Sequence, residues 1–130
     1  LSPADFGFHN ALREPDGRIV FLDFEYFGWD DPAKMIADFL LHPAMGLGRG
    51  LRKWFLTGAV EAFGDQTLIA QRVDMVYPLS GLKWCLLLLN EFVPERWARR
   101  GFAGGLDADR DHIQIEQLSK AKEMLRMVAV

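Results

Sequence analysis

Up to about residue 31, short polar side chains are interleaved with aromatic and aliphatic ones; beyond it, apolar residues recur at intervals of three and four. The first regime predicts extended chain and turns, the second helices. Glu14-Pro15-Asp16-Gly17 separates Asn10-Ala11-Leu12-Arg13 from Arg18-Ile19-Val20-Phe21-Leu22-Asp23-Phe24. Proline presets φ, aspartate bonds its own backbone and glycine takes a positive φ, so this stretch predicts a β-hairpin. With Arg13 facing Arg18, Asn10 would oppose Phe21, and Asp23 would lie one diagonal further on, roughly 7 to 8 Å away between backbones. Asp23 and Glu25, two apart, would share a face of an extended chain.

Asp31-Pro32 predicts a helix start, with aspartate as N-cap and proline in the first helical position. Ile36, Phe39 and Leu40 give that helix one apolar face, and Pro43 should end it at about His42. After the flexible connection Gly46-Leu47-Gly48-Arg49-Gly50, a second helix carries Leu51, Trp54, Phe55, Gly58, Ala59 and Phe63 and stops at Gly64. A third, capped by Asp65, carries Ile69, Val73 and Val76 up to Pro78. From Leu79 to Val93 the pattern is apolar nearly all round, which predicts the most buried helix and the central post of the core. Pro94 to Gly105 reads as irregular, with Arg96, Arg99 and Arg100 on a solvated face. Asp107 or Asp109 then starts a last helix with Ile115, Leu118, Leu125 and Val128 facing inward, while Lys120, Lys122 and Arg126 sit late, where cations complement the helix dipole. The fold class expected is mainly α with a small β-hairpin.

Composition narrows the function classes. A chain of 130 residues, half of them hydrophobic, can bury one core without disulfide or metal staples. A net charge of -3 without a dense Lys/Arg run argues against general nucleic-acid binding. The single cysteine, Cys85, lies in an apolar run and reads as a buried, inert thiol in a reducing, cytoplasmic setting. The longest apolar run, Trp84 to Leu89, is too short to span a bilayer, and no signal-peptide pattern precedes the first motif. A motif begins within five residues of Leu1, so a further upstream segment is expected.

Asp5, Asn10 and Asp23 are short oxygen-bearing side chains flanked by Phe6, Phe8, Phe21, Leu22 and Phe24. Phosphoryl transfer needs such a set. Magnesium takes hard oxygen ligands and usually only one or two from the protein, which Asn10 and Asp23 can supply. A separate carboxylate must orient the attacking hydroxyl and accept its proton, the part suited to Asp5. A lone His9 beside Asn10 reads as a hydrogen-bonded loop residue, and His42 and His112 are isolated near helix ends. Asp30 can face a cationic substrate or solvent. Glu91, Glu95, Trp84, Trp97 and Tyr77 are candidates for an acceptor pocket, since acids and aromatic faces suit an amine, or else for ordinary core.

Asp5-x4-Asn10, the hairpin, Asp23-Phe24-Glu25 and Gly28-Trp29-Asp30-Asp31-Pro32 together resemble the aminoglycoside phosphotransferase and choline kinase-like family over the first quarter of the chain. That resemblance implies the C-terminal helical lobe of a protein-kinase-like fold, with residues 1–31 as catalytic loop, hairpin and metal segment and residues 32–130 as helical subdomain. It implies Asp5 as catalytic aspartate, Asn10 and Asp23 as Mg²⁺ ligands, Glu25 at the metal or just behind it, and ATP as co-substrate. The partners implied are a small hydroxyl-bearing acceptor and a nucleotide-gripping N-terminal lobe. Pro3 and Gly7 depart from the family pattern, in which histidine precedes the catalytic aspartate by two and histidine or lysine follows it by two. A non-catalytic kinase-like binding or assembly module is the alternative from another class, and a metal-dependent phosphohydrolase is a third.

Overall fold

In the computed structural model the described residues are 2, 5–102 and 110–129, with backbone alone for 99–102. They are mainly helical with one two-stranded antiparallel sheet, β1 (Ala11–Arg13) and β2 (Ile19–Phe21). Five α-helices follow among them: α1 (Pro32–Leu41), α2 (Arg49–Ala62), α3 (Gln66–Leu88), α4 (Pro94–Phe102) and α5 (Arg110–Val128). The chain divides into two units, 1–80 and 81–130, and α3 contributes to both.

The hairpin forms where expected, but its register is one residue away from the expected one. Arg13 pairs with Ile19, Leu12 with Val20 and Ala11 with Phe21. Gly17 is the cause. Its N–H donates to the Glu14 carbonyl at 2.9 Å and its φ is +89°, while the Glu14 N–H donates to the Arg18 carbonyl at 2.8 Å. This is a type I turn closed by a glycine bulge, a three-residue loop rather than four. The Asp16 carboxylate accepts from the Arg18 N–H at 2.9 Å, and the Glu14 and Arg18 side chains are ion-paired. Asn10 therefore stands opposite Leu22, whose N–H donates to the Asn10 carbonyl at 2.8 Å, rather than opposite Phe21.

Helix α1 begins and ends as its sequence requires. Asp31 caps it by accepting from the Ala33 N–H at 3.0 Å, Pro32 occupies the first position, and His42 before Pro43 closes it. Ala33, Ile36 and Ala37 are fully buried, and Ile36 and Leu40 join Ile69 and Val73 of α3 in the core of the first unit. The central post of that core is thus α1. The Leu79–Val93 run expected in that place is buried along one side only: Ser80, Cys85 and Leu88 are buried, while Leu79, Leu82, Leu86 and Leu87 are exposed. An all-round apolar helix signals burial only if every face finds a partner surface. Trp54 and Leu51 of α2 are likewise exposed, whereas Phe55 stacks on Phe39 at 3.9 Å between ring centroids.

Asp65 caps α3 through the Leu68 N–H at 3.0 Å, as expected, but Pro78 does not end the helix. Proline removes one backbone bond, to the carbonyl of Asp74, an exposed residue that water can reach. In the second unit, the segment expected to be irregular after Pro94 is helical, because Pro94 occupies the first position of α4 and starts it. The caps expected at Asp107 or Asp109, like Gly104 and Gly105, lie outside the described residues. Helix α5 buries Ala121, Met124 and Val128, while Ile115 and Leu125, expected inside, are exposed. Small residues set that face: the buried Cys85 thiol donates to the Ala121 carbonyl at 3.4 Å, and Gly81 lies directly against Val128. Burial pushes the Cys85 thiol above its ordinary pKa, as an inert role requires. No helix among the described residues is long and apolar enough to cross a membrane.

Two measurements check this packing. A β-carbon at Gly81 would fall 2.3 Å from Val128 Cγ1 and 2.9 Å from its Cβ. Gly81→Ala should therefore destabilise by about 1 to 3 kcal/mol in urea unfolding, although alanine is favoured in a helix by about 1 kcal/mol; Val128→Ala in the same chain should recover part of the loss. Asp31 also accepts from the Arg72 guanidinium of α3, and that bond, reinforced by the Ala33 N–H, holds its carboxyl below the usual range. A depressed folded value means stability that is present above the unfolded value of about 3.9 and lost as pH falls through the folded one. Asp31→Asn keeps the capping oxygen but removes the charge, so it should be less stable at pH 7 by up to about 1 kcal/mol, and the gap in denaturant midpoint should begin to narrow near about pH 4 and close only below the lowered folded-state value.

Candidate functional site

Asp5 lies in the loop before the hairpin, and a 3-10 turn, Phe8–Asn10, carries the chain from it into β1. The Asn10 N–H donates to the Gly7 carbonyl at 3.1 Å, closing the turn. This folds Asn10 back over Asp5, and its side-chain amide donates to the Asp5 carbonyl at 3.0 Å and reaches the carboxylate at 3.5 Å. Because the amide nitrogen faces Asp5, the amide oxygen of Asn10 faces the other way. The His9 Nε2–H donates to the Asp5 carboxylate at 3.2 Å, since an ionised carboxylate can only accept.

Asp23 follows β2 and has φ +60°, the one positive value at a non-glycine residue among those described. Such a backbone costs about 1 to 2 kcal/mol for an ordinary residue, and strain of this kind gathers at functional sites. With Asn10 opposite Leu22, strict alternation would send Asp23 to the other face of the ribbon from Asn10. The left-handed turn at Asp23 breaks that alternation. Asp5, Asn10 and Asp23 line one cavity of ≈ 110 Å³, walled on its apolar side by Phe6, Phe21 and Phe24.

Glu25 is not part of that wall. The adjoining Glu25 carboxylate holds the Tyr26 phenol above its ordinary pKa, and Asp23 and Asp5 add to the shift. Three carboxylates thus act on one exposed phenol, so the region is markedly negative. Asp30 is occupied at the start of α1, accepting from the Asp31 N–H at 2.8 Å and from Lys34 Nζ at 2.8 Å, which ties it to the helix instead of to a substrate. Glu91, Glu95 and Trp97 belong to the second unit. There the Arg110 guanidinium lies 5.4 Å from the Trp97 ring centre and covers the face a substrate cation would use. The Glu91 carbonyl accepts from Gln114 at 2.9 Å, and Glu95 is an exposed acid in the first turn of α4. The Tyr77 hydroxyl accepts from Arg52 within the first unit.

Several contributors carry no local signal in the sequence. His42, at the end of α1, stacks on His9 with ring centres 4.3 Å apart and planes 6° from parallel. Met45 packs against Gly7, where an added β-carbon would lie 2.3 Å from Met45 Cε and 2.7 Å from the His9 ring. A larger residue there would have to displace the end of the Met45 side chain and the His9 ring. An apolar hollow of ≈ 580 Å³ adjoins the acidic cavity and shares Phe6, Gly7 and Phe21 with it, with Phe39 and Trp54 further along its wall.

The set of donors suits a hard divalent cation. Asn10 and Asp23 offer oxygen atoms at one cavity, in a region already rich in negative charge, and a small ion bound to two protein oxygens keeps places for phosphate and water. Comparisons of the chain with protein-family models, with curated proteins and with solved structures each find no match.

Proposed function

We propose that the chain is the catalytic, mostly helical lobe of an ATP-dependent phosphotransferase of the aminoglycoside phosphotransferase and choline kinase-like kind. It would move the γ-phosphate to a hydroxyl of an amino sugar, amino alcohol or related metabolite. The observation that carries this is the convergence of Asp5, Asn10 and Asp23, 18 positions apart from first to last, on one small cavity whose residues are otherwise apolar.

Each side chain has a distinct part. Asn10 and Asp23 would hold Mg²⁺ through their oxygens, and magnesium bound there supplies neutralisation of charge on the transferring phosphate. Asp5 orients the acceptor hydroxyl and takes its proton as the new O–P bond forms and the bond to the ADP oxygen breaks. Asn10 also fixes the Asp5 loop through its amide N–H groups, so one residue joins the metal clamp to the base. The apolar hollow next to the cavity has the aromatic walls that a planar nucleotide base requires. Neither a strand-borne glycine loop nor a strand lysine paired with a helix glutamate occurs among the described residues, so nucleotide gripping on this scheme needs a further lobe.

The test is phosphotransfer by the full-length protein with labelled ATP against a panel of alcohols and amino sugars. With an acceptor in hand, Asp5→Asn should lower kcat by roughly 10² to 10⁴-fold, the usual size of a lost general base, with little change in the KM for Mg-ATP. Asp23→Ala should raise the Mg²⁺ concentration needed for half-maximal rate and depress the rate at saturation. Wild type and both variants behaving alike would rule out catalysis at this cavity and favour a binding module.

A further inference from the structure

Beside the oxygen-lined cavity, on the other side of the Asp5 carboxylate, lies a second set of ligand atoms of different chemistry. His9 comes from the 3-10 turn after Asp5, and His42 from the C-cap of α1, 33 residues further along. One ligand atom from each of Asp5, His9 and His42 lies within 4.8 Å of the other two. We propose that these three side chains form a binding site for a transition-metal ion of the Zn²⁺ class, separate in ligands and in preference from the Mg²⁺ clamp of Asn10 and Asp23.

Two imidazoles and one carboxylate make a nitrogen-rich set, which favours zinc, cobalt, nickel or copper over magnesium, whose ligands are oxygens. Three protein ligands leave a fourth tetrahedral place for water, the arrangement of an open zinc site. The spacing is partly formed already. Ligand atoms about 2.0 to 2.1 Å from one tetrahedral zinc stand about 3.3 Å from each other, and His9 Nε2 stands 3.2 Å from Asp5 Oδ1. A metal ion there takes the place of the proton that His9 now donates, and that proton moves to the other ring nitrogen. His42 must come in by up to about 1.5 Å, from a separation of at most 4.8 Å to that tetrahedral edge. The two rings then leave their parallel stack, because imidazole lone pairs lie in the ring plane and parallel rings cannot aim both at one ion. Asp5 and His9 sit at the surface and His42 is half-buried, so an ion has access and the side chains have room to turn.

His42 carries a reporter of this change. Its Nδ1 now accepts from the Ala44 N–H at 3.1 Å, so its neutral ring has the proton on Nε2. Ligation through Nε2 moves that proton to Nδ1, and ligation through Nδ1 displaces the amide outright. Either route breaks the Ala44 bond. One consequence rests on the phosphotransfer scheme above: zinc held by Asp5 withdraws the base, so Zn²⁺ inhibits the reaction in the presence of excess Mg²⁺.

The experiment is a titration of untagged protein with Co²⁺ and then Zn²⁺. Expected are one equivalent of Co²⁺ bound with the visible absorption of a tetrahedral site, its displacement by Zn²⁺, and a zinc-induced shift of the Ala44 amide resonance. His9→Gln and His42→Gln, shown folded by circular dichroism, should each weaken binding at least tenfold, and Asp23→Ala should bind Zn²⁺ as wild type does. Absence of saturable binding, an unmoved Ala44 resonance, or binding that survives both histidine variants would overturn the site. These readouts need no turnover, so failure of the metal site and failure of the phosphotransfer scheme are distinguishable.

Discussion

Phe39 is the point on which the site hangs. It is 4% exposed, projects from the buried α1, and touches three other rings: Phe55 of α2 at 3.9 Å, Phe6 at 5.3 Å and Phe8 at 5.7 Å between centroids. Each aromatic pair contributes about 0.5 to 1.5 kcal/mol beyond the area it buries, which offsets part of the cost of ordering the loop. Phe6 and Phe8 alternate with Asp5, Gly7 and His9, so fixing the two rings fixes the polar residues between and beside them. The loop has little regular structure of its own beyond a three-residue turn, and its geometry is borrowed from α1. That dependence explains why the start of α1 is secured three ways, by the Asp31 cap, by Asp30 with Lys34, and by Arg72 reaching across from α3. Any slip of α1 along its axis would move Phe39 and His42 together.

A second constraint acts from the hairpin side. A tight turn with a glycine bulge sets the pairing, and the pairing taken alone would point Asp23 away from Asn10. The left-handed backbone at Asp23 corrects this at a cost below the ~1 to 2 kcal/mol of an ordinary residue, because aspartate enters that region more readily than most. Strain of that size persists only where its surroundings enforce it. The buried Ser2 pairs with Gly28 by bonds of 2.8 and 3.1 Å and so closes the segment that contains Asp23.

Features written in a few adjacent residues were legible in the sequence: the Pro15-Asp16-Gly17 turn, the caps at Asp31 and Asp65, and the stop at His42-Pro43. All rest on local backbone chemistry. What failed was whatever depends on a partner surface. Pro78 reads as a break because a lost backbone bond looks prohibitive, but the carbonyl it frees belongs to an exposed residue. The Leu79–Val93 run reads as core because periodicity reports how apolar a helix is and says nothing of what covers it. On α5 the inward face belongs to Ala121, Met124 and Val128 instead of Ile115 and Leu125, because Gly81 leaves room for Val128 and the Cys85 thiol reaches the Ala121 carbonyl. The stacking of His9 on His42 was beyond reach, since nothing local links residues 33 apart.

Asp5 is the residue on which all these constraints meet, and its capacity decides how many tasks it can hold. An ionised carboxylate offers about four lone-pair directions on two oxygens. His9 takes one on Oδ1 at 3.2 Å, and the Asn10 amide approaches Oδ2 at 3.5 Å while bonding the Asp5 carbonyl more firmly at 3.0 Å. At least two directions remain, enough to accept from an acceptor hydroxyl with the loop bonds intact. Metal ligation through Oδ1 uses the direction that His9 already fills, so it replaces an existing interaction and does not compete for a new one. If both proposals hold, the two chemistries would interfere, because a cation on Oδ1 draws charge from the whole carboxylate and weakens Oδ2 as a proton acceptor. On the two proposals above, Asp5 would be a ligand of the nitrogen-rich set and the base beside the Asn10 and Asp23 oxygens, so one side chain would couple the two.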